Sequence, residues 1–337
     1  MINTTKQIPV SIAGGYWTGS SAVVDLLTEH SQCDVIPHEF TLFSFGQFFM
    51  DLYGPLVKGE LDINLAIKNL QRFDAFNRSD MYPIRAIIRY ICRRLKVYPG
   101  FIFRRKSGLG RALGRGYDKA CSDFSIMLKQ HLKSNKKVDI SELNNALRLI
   151  LEEAALAKLP IDAKYSRNSR IAVFDQIIAP PYQNSCCESI PNFRFINVDR
   201  HWKDQYISLR GAYKGMLSVN DAIGVRPWNE DNAKLKNLDP ISYFVKLRMS
   251  IDKIKQRQQN DKNTLWIDFE DLVNNRDETA NTIFSFLGVK FEDWTPNIHF
   301  HPSISKTRTK KWLDKKWQSI ELDKELQEIA VRLNYEI

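Results

Sequence analysis

The sequence has few of the features that mark secreted, membrane-spanning or metal-binding proteins. Its five cysteines are odd in number and show no metal-ligand spacing, and the adjacent Cys186 and Cys187 are poorly placed to bridge each other. No apolar run reaches the length of about 18 residues that a membrane span needs. The first residues carry no basic-then-apolar leader. We therefore expect a reduced, cytoplasmic protein without a metal centre.

What the sequence does have is a large apolar fraction and an excess of positive charge. Of its 337 residues, 43% are hydrophobic, which is enough to bury a sizeable core. Lys and Arg outnumber Asp and Glu by 49 to 39, which gives a net charge of +10. This charge favours an anionic partner: a nucleotide, an acidic glycan, a membrane surface or nucleic acid.

The stretch Ile8–Leu27 predicts a buried strand, a glycine turn and the start of a helix. A helix start presents unpaired N–H groups to an anion, and Gly14 and Gly19 let the backbone approach a phosphate closely. The spacing resembles the nucleotide loop G-x-x-x-x-G-K-[ST], but Ser20 stands where the lysine should be. Such a loop can hold a phosphate yet is poorly equipped to hydrolyse ATP or GTP. An ordinary strand–turn–helix without a ligand is the alternative.

Further strands are predicted wherever short apolar runs precede polar residues and a helical pattern. These runs are Cys33–Glu39, Ile171–Phe174, Phe193–Val198 and Thr264–Phe269. Strands that alternate with helices predict an α/β fold, a doubly wound and mostly parallel sheet flanked by helices. We expect one P-loop-like domain over residues 1–337, with a helical insertion at about 42–164. Ligands of such sheets bind beyond the carboxyl ends of the strands.

The insertion contains a basic, amphipathic block at Pro83–Lys119. Its arginines and lysines alternate with apolar and aromatic residues. This pattern fits a surface that contacts anionic lipid or an acidic acceptor. It fits equally a solvated helical insertion with a basic face.

A second informative stretch follows the predicted strand that ends at Val198. Arg200 stands just past that strand, and Ser208 lies about two turns into a helix predicted to begin near Trp202. Both side chains can face one phosphate, for which the planar guanidinium of arginine is well suited. The alternative is a structural ion pair for Arg200 on a solvated helix.

These stretches together resemble the family of sulfotransferases that use 3′-phosphoadenosine 5′-phosphosulfate (PAPS). Arg200–Ser208 is similar to the family motif R-x-P-[RK]-D-x-x-x-S, with Trp202 in place of the proline. Trp17–Ser21 corresponds to K-S-G-T-T. Trp266–Val289 and Lys306–Trp312 resemble the family's later strand–helix unit and its C-terminal basic loop. The four matches fall in the family's order, and the insertion is not covered.

The resemblance implies transfer of a sulfuryl group from PAPS to a hydroxyl of a glycan or lipid-linked sugar. It implies no metal and no nucleic-acid partner, while the basic block suggests peripheral contact with an anionic membrane. The residues that would bind the nucleotide are Tyr16, Trp17, Thr18, Gly19, Ser20, Ser21, Arg200, Ser208, Lys306 and Arg308.

For the chemical step, Glu39 resembles the glutamate that glycan-modifying members carry after their second strand, and it is the expected general base. His38 is the alternative base. The family's first-loop lysine is missing because Trp17 occupies its position. His38, His201, Lys306 and Arg308 are the cations that can replace it.

Two other functions fit parts of the sequence. One is a nucleotide-dependent kinase of the same broad fold, against which Ser20 in the lysine position argues. The other is a basic module that binds nucleic acid or an anionic membrane through Pro83–Lys119.

Overall fold

The computed structural model describes residues 8–14, 18–39, 115–134, 139–156, 170–189, 192–214 and 238–336. The chain falls into two compact units. The first comprises Met1–Pro37, Arg167–Cys187 and Asn192–Ile337, and the second comprises His38–Ser166 with Glu188–Pro191. The expectation of a single domain with an inserted helical segment stays a prediction.

A five-stranded sheet carries the fold. Its strands are β1 (Ile8–Gly14), β2 (Cys33–Glu39), β3 (Ile171–Asp175), β4 (Arg194–Asp199) and β5 (Thr264–Asp268). They lie in the order β2-β3-β1-β4-β5. Strand β1 pairs in parallel with β3 and β4, and β4 pairs in parallel with β5. The predicted fold class, a mostly parallel α/β sheet flanked by helices, is confirmed.

Helices connect and cover the strands. They are α1 (Ser20–Thr28), α2 (Arg115–Ser134), α3 (Ile140–Leu156), α4 (Gln183–Ser189), α5 (Trp202–Lys214), α6 (Pro240–Arg257), α7 (Phe269–Asn274), α8 (Arg276–Leu287), α9 (Pro302–Lys306) and α10 (Ile320–Leu333). Helical turns of the 3₁₀ type lie at Pro180–Tyr182, Phe291–Asp293 and Lys311–Leu313. Within the described ranges, no helix has both the length and the apolar character that crossing a bilayer demands.

Strand β1 lies in the middle of the sheet, at the point where the order of the strands reverses. Strands β2 and β3 lie on one side of β1, and β4 and β5 lie on the other. Gly14 at the end of β1 is in register with Val198 near the end of β4. The loops that leave β1 and β4 therefore begin side by side, at the switch point where doubly wound sheets bind ligands.

A core of fully buried apolar side chains holds α1 and α8 against the sheet. Each such side chain contributes roughly 1.5–3 kcal/mol relative to an exposed position. The helical members recur every three or four residues, as the one buried face of a helix requires. The core includes Val10, Ile12, Val23, Leu26, Leu27, Ile283, Phe284 and Leu287.

In the second unit, α2 packs against α3. Phe124 and Leu128 of α2 and Ile150 of α3 are buried. His131 Nε2 lies 3.0 Å from Glu142 Oε2. The helix predicted at Leu143–Leu156 is present as α3. Most of the basic block Pro83–Lys119 lies outside the described residues.

Candidate functional site

The turn between β1 and α1, Thr18–Ser21, is packed so tightly that glycine is required in it. Gly19 has φ 89°, a left-handed conformation that favours glycine, and it caps the N-terminus of α1. A Cβ at Gly19 would lie 2.5 Å from the ring of Phe269. A Cβ at Gly14 would collide with Thr18 Oγ1 and come within 3.0 Å of the carbonyl oxygen of Val198. We call Thr18–Ser21 the glycine turn.

Ser20 joins the glycine turn to the neighbouring strand β3. Gln176, just past β3, donates from Nε2 to Ser20 Oγ at 2.9 Å. Thr18 and Ser20 are both buried, and Ser21 is exposed at the start of α1. Tyr16 and Trp17 lie outside the described residues, so their nucleotide-binding roles stay predictions.

Arg200 follows β4 and is only 6% exposed. Its Nη1 donates to Ser208 Oγ at 3.2 Å, and its Nη2 donates to the carbonyl oxygen of Arg308. The guanidinium carbon lies 5.2 Å from the centre of the Phe269 ring. Phe269 thus contacts Arg200 and also crowds Gly19, so the guanidinium and the glycine turn lie on the same side of the sheet.

Lys311 completes this cluster, and the sequence reasoning missed it. Its Nζ donates to Ser208 Oγ at 3.1 Å, while Ser208 Oγ donates to the carbonyl oxygen of Asp204 at 2.9 Å. We call Arg200, Ser208 and Lys311 the cradle. The sequence singled out Lys306, Arg308 and Lys310, which alternate as in an extended loop. A left-handed turn at Lys310, with φ 54°, changes which lysine faces Ser208.

Burial and like charges lower the pKa of Lys311. Burial is the larger cause, and Arg200 and Arg308 add to it, while Asp204 opposes them. Burial likewise lowers the pKa of Arg200, with Asp204 and Glu270 opposing and Arg308 assisting. An anion bound here would relieve the repulsion among these cations.

The basic segment, Lys306–Trp312, was predicted to be a loop, and this is wrong for its ends. Lys306 ends α9, whose first position is Pro302, and Lys311–Leu313 form a 3₁₀ turn. Proline is favoured at the first position of a helix because its missing N–H has no partner there in any case. Lys306 and Arg308 are exposed.

Arg308 is close enough to Asp25 of α1 and to two residues of the cradle to influence their pKa values. Burial raises the pKa of Asp25 on α1, and the charges of His299 and Arg308 act against that rise. Arg308 also helps to lower the pKa values of Arg200 and Lys311, as described above. It is therefore near α1 as well as near the cradle.

The surroundings of His201 favour its neutral form. Burial, assisted by Lys203 and Arg248, lowers its pKa to about 4. Its ring stacks on that of Trp312 with centroids 4.2 Å apart. Lys203 Nζ lies 5.8 Å from the centre of the Trp312 ring. The role of His201 as the replacement cation stays a prediction, which its lowered pKa disfavours.

Behind Arg200 lies an ion-pair network formed by Asp199, Arg248, Lys255 and Asp268. Asp199 Oδ1 accepts from Arg248 Nη1 at 2.6 Å and Oδ2 from Arg248 Nη2 at 2.9 Å. Lys255 Nζ donates to both Asp199 and Asp268 at 2.9 Å. Although burial disfavours the ionised carboxyl, these cations outweigh it and lower the pKa of Asp199 to about 2.

This network also holds the main chain of Arg200. The Arg200 N–H donates to Asp199 Oδ1 at 2.8 Å, and Arg248 Nη1 lies 3.4 Å from the Arg200 carbonyl oxygen. The next N–H, of His201, donates to Glu270 Oε1 at 3.2 Å. The backbone that carries the guanidinium is therefore fixed on both sides.

Glu29, at the C-terminus of α1, anchors the chain that leads to the basic segment. Its Oε1 accepts from the N–H groups of Ile298, His299 and Phe300 at 2.8, 2.7 and 2.8 Å. Its Oε2 accepts from Trp294 Nε1 at 2.9 Å. This buried carboxylate ties α1, which begins at the glycine turn, to residues 298–300.

The predicted catalytic residues Glu39 and His38 are the last two residues of β2, whose bounds match the prediction. Their side chains lie outside what the structure describes, so both roles stay predictions. Among the described residues, no group of three or more His, Cys, Asp or Glu side chains is arranged to hold a metal ion.

No family model matches the chain, and no curated protein matches it either. Several solved structures are similar to it. A sulfotransferase domain from the curacin biosynthetic pathway is 15% identical, with 98% of each chain covered and a TM-score of 0.39. The sulfotransferase domain of the Synechococcus PCC 7002 olefin synthase is 13% identical, with 99% of this chain and 98% of that one covered and a TM-score of 0.39.

Sulfotransferase STF9 from Mycobacterium avium is 10% identical, with 98% of this chain and 78% of that one covered and a TM-score of 0.38. Similarity at this level says nothing about activity. Function has to be inferred from the residues of the chain itself.

Proposed function

We propose that this chain is a sulfotransferase that takes its sulfuryl group from PAPS. One observation carries the proposal: the glycine turn after β1 and the cradle after β4 begin at neighbouring strand ends and share contact with Phe269. Two anion-binding elements in this arrangement suit a nucleotide with phosphates at both ends of its ribose.

In this proposal each element holds one end of the donor. The glycine turn and the N-terminus of α1 hold the 5′-phosphosulfate, because α1 presents N–H groups there. Arg200, Ser208 and Lys311 hold the 3′-phosphate. The lowered pKa of Lys311 supports this assignment, since the negative charge of a bound phosphate would favour the protonated form of the Lys311 amine.

Sulfuryl transfer needs a base for the acceptor hydroxyl and cations for the leaving phosphate. The S–O bond to the phosphate breaks as the acceptor oxygen bonds to sulfur, and the acceptor proton passes to Glu39. Of the predicted replacement cations, we favour Arg308, because its carbonyl oxygen accepts from Arg200 Nη2 and its main chain therefore lies beside the cradle. By the family resemblance, the acceptor is a glycan or a lipid-linked sugar in the cytoplasm.

Calorimetric titration without magnesium tests donor binding. We expect adenosine 3′,5′-bisphosphate to bind at least about tenfold more tightly than adenosine 5′-phosphate, because a hydrogen bond to a charged group contributes roughly 1.5–3 kcal/mol. Arg200→Ala should remove that preference. The matched control is Arg210→Ala on α5, since Arg210 pairs with Glu321 and Glu325.

Equal affinity for the two nucleotides would refute the proposal. Tight binding of ATP that requires magnesium would favour the kinase alternative. Binding of nucleic acid or vesicles with a steep salt dependence that survives Arg200→Ala would favour the basic module.

The base is tested separately by Glu39→Gln. We expect turnover to be lost while the affinity for adenosine 3′,5′-bisphosphate is unchanged, because the glutamine amide cannot take up the proton of the acceptor hydroxyl. His38→Gln is the comparison variant at the neighbouring position. If it abolishes turnover and Glu39→Gln does not, the base is His38.

A further inference from the structure

The main chain of the basic segment is attached to α5 by a single buried carboxylate. Asp204 is fully buried. Its Oδ2 accepts from the Lys310 N–H at 2.7 Å, and its Oδ1 accepts from the Lys311 N–H at 2.6 Å. The left-handed φ of 54° at Lys310 accompanies this pairing of two successive N–H groups with one carboxylate. A non-glycine residue holds that conformation only where its surroundings fix it.

The attachment determines where the Lys311 side chain lies. With its N–H fixed on Asp204, Lys311 reaches back over the same helix to Ser208, one turn further along α5. The carbonyl oxygen of Asp204 accepts from Ser208 Oγ, so the same residue also orients the hydroxyl on which Arg200 and Lys311 converge.

Asp204 is itself unsuited to contact a phosphate. Burial raises its pKa, while the two N–H groups and Arg200 act to keep it ionised. An ionised carboxylate repels a phosphate, and both of its oxygens already accept hydrogen bonds from the main chain.

We propose that Asp204 is a positioning residue for the 3′-phosphate: it docks the basic segment onto α5 and thereby places the Lys311 ammonium in the cradle. The inference rests on the proposed function, because it concerns the 3′-phosphate site of the same nucleotide. Loss of the carboxylate releases the two N–H groups, and the Lys311 ammonium then leaves Ser208.

The deciding measurement is the ratio of affinities for adenosine 3′,5′-bisphosphate and adenosine 5′-phosphate. We expect Asp204→Asn and Asp204→Ala to reduce this ratio by about tenfold, the same factor as Lys311→Ala. If Asp204 only stabilised the fold, its variants would melt at a lower temperature and would bind both nucleotides more weakly by the same factor. The ratio of affinities would then be unchanged. The asparagine variant keeps one acceptor oxygen and serves if the alanine variant does not fold.

The matched control is Asp261→Asn. Asp261 also holds a main-chain N–H, that of Asn263 at 3.0 Å, but it lies at the opposite, amino end of β5. This variant should lose stability and keep the ratio.

A double mutant separates action through Lys311 from action of any other kind. If Asp204 works by placing Lys311, the Asp204→Asn, Lys311→Ala variant has the same ratio as Lys311→Ala alone. Losses that multiply, or an unchanged ratio in Asp204→Asn, would overturn the inference while leaving the proposed function intact. A wild-type ratio near one would overturn the proposed function and this inference with it.

Discussion

Lys255 and Lys311 are both partly buried lysines, yet their surroundings shift their pKa values in opposite directions. For Lys255, burial alone would lower the pKa, but Asp199 and Asp268 outweigh it and the pKa is raised. For Lys311, burial lowers the pKa and the nearby Arg200 lowers it further. Lys255 belongs to the ion-pair network and Lys311 to the cradle.

This difference separates charges that hold the fold together from charges placed for a ligand. In the ion-pair network, arginine and lysine are matched by carboxylates within 3 Å. In the cradle, Arg200 and Lys311 converge on one neutral hydroxyl. We infer that removing a cation from the network costs stability, whereas removing one from the cradle costs affinity for an anion.

Loss of the Arg248 side chain should have the largest effect on stability. We expect Arg248→Met to lower the free energy of unfolding by about 3–5 kcal/mol, because it leaves Asp199 buried without its main partner. Arg200→Met should lower it less, since the oxygens of Ser208 and Arg308 that accept from its guanidinium are neutral and cost less to leave without a donor. Urea denaturation of both variants measures this. Equal losses would remove the distinction between the two regions.

Acid tests the network through Asp199. Its pKa is lowered from 3.8 to about 2, so the stability from its ionised form is complete above pH 3.8 and is lost as the pH falls through about 2. This contribution is worth roughly 2–3 kcal/mol. We expect unfolding free energies measured between pH 4 and pH 2 to fall steeply for the wild type and less steeply for Asp199→Asn. Parallel curves would contradict the pairing.

The affinity of the cradle for a phosphate should depend on pH in the alkaline range, because Lys311 loses its charge there. We expect this effect to be smaller. Its pKa is lowered from 10.5, so its charge, and with it part of the affinity for adenosine 3′,5′-bisphosphate, is lost as the pH rises through a value below 10.5. Arginine stays charged in this range. We expect Lys311→Arg to bind more weakly by about 1 kcal/mol or less at pH 7 but to keep its affinity at high pH. An identical pH profile would exclude Lys311 from the site.

Local patterns predicted the fold and two of the three residues of the cradle. Strand β2 covers the predicted residues, and α5 begins at Trp202 as expected, because apolar runs and helix-start signals are local features. Arg200 and Ser208 could be paired because one stands at the end of a strand and the other about two turns into the helix that follows it.

Contacts between distant parts of the chain could not be predicted from the sequence. Arg248 and Asp199 meet only because α6 packs behind the end of β4, and no spacing rule relates them. Phe269 contacts both the glycine turn and Arg200 only because of the order in which the strands lie in the sheet. Lys311 was missed because a single left-handed residue, Lys310, reverses the alternation that an extended chain would have.

Residues 301–309 are pinned at both ends by carboxylates on different helices: Glu29 of α1 holds the preceding N–H groups, and Asp204 of α5 holds those that follow. Arg308 lies within this span. The number of residues between these two attachment points therefore limits where Arg308 can lie between α1 and α5. Inserting or deleting one residue in the span would shift Arg308, and with it the carbonyl oxygen that accepts from Arg200 Nη2, while Ser208 keeps its place on α5.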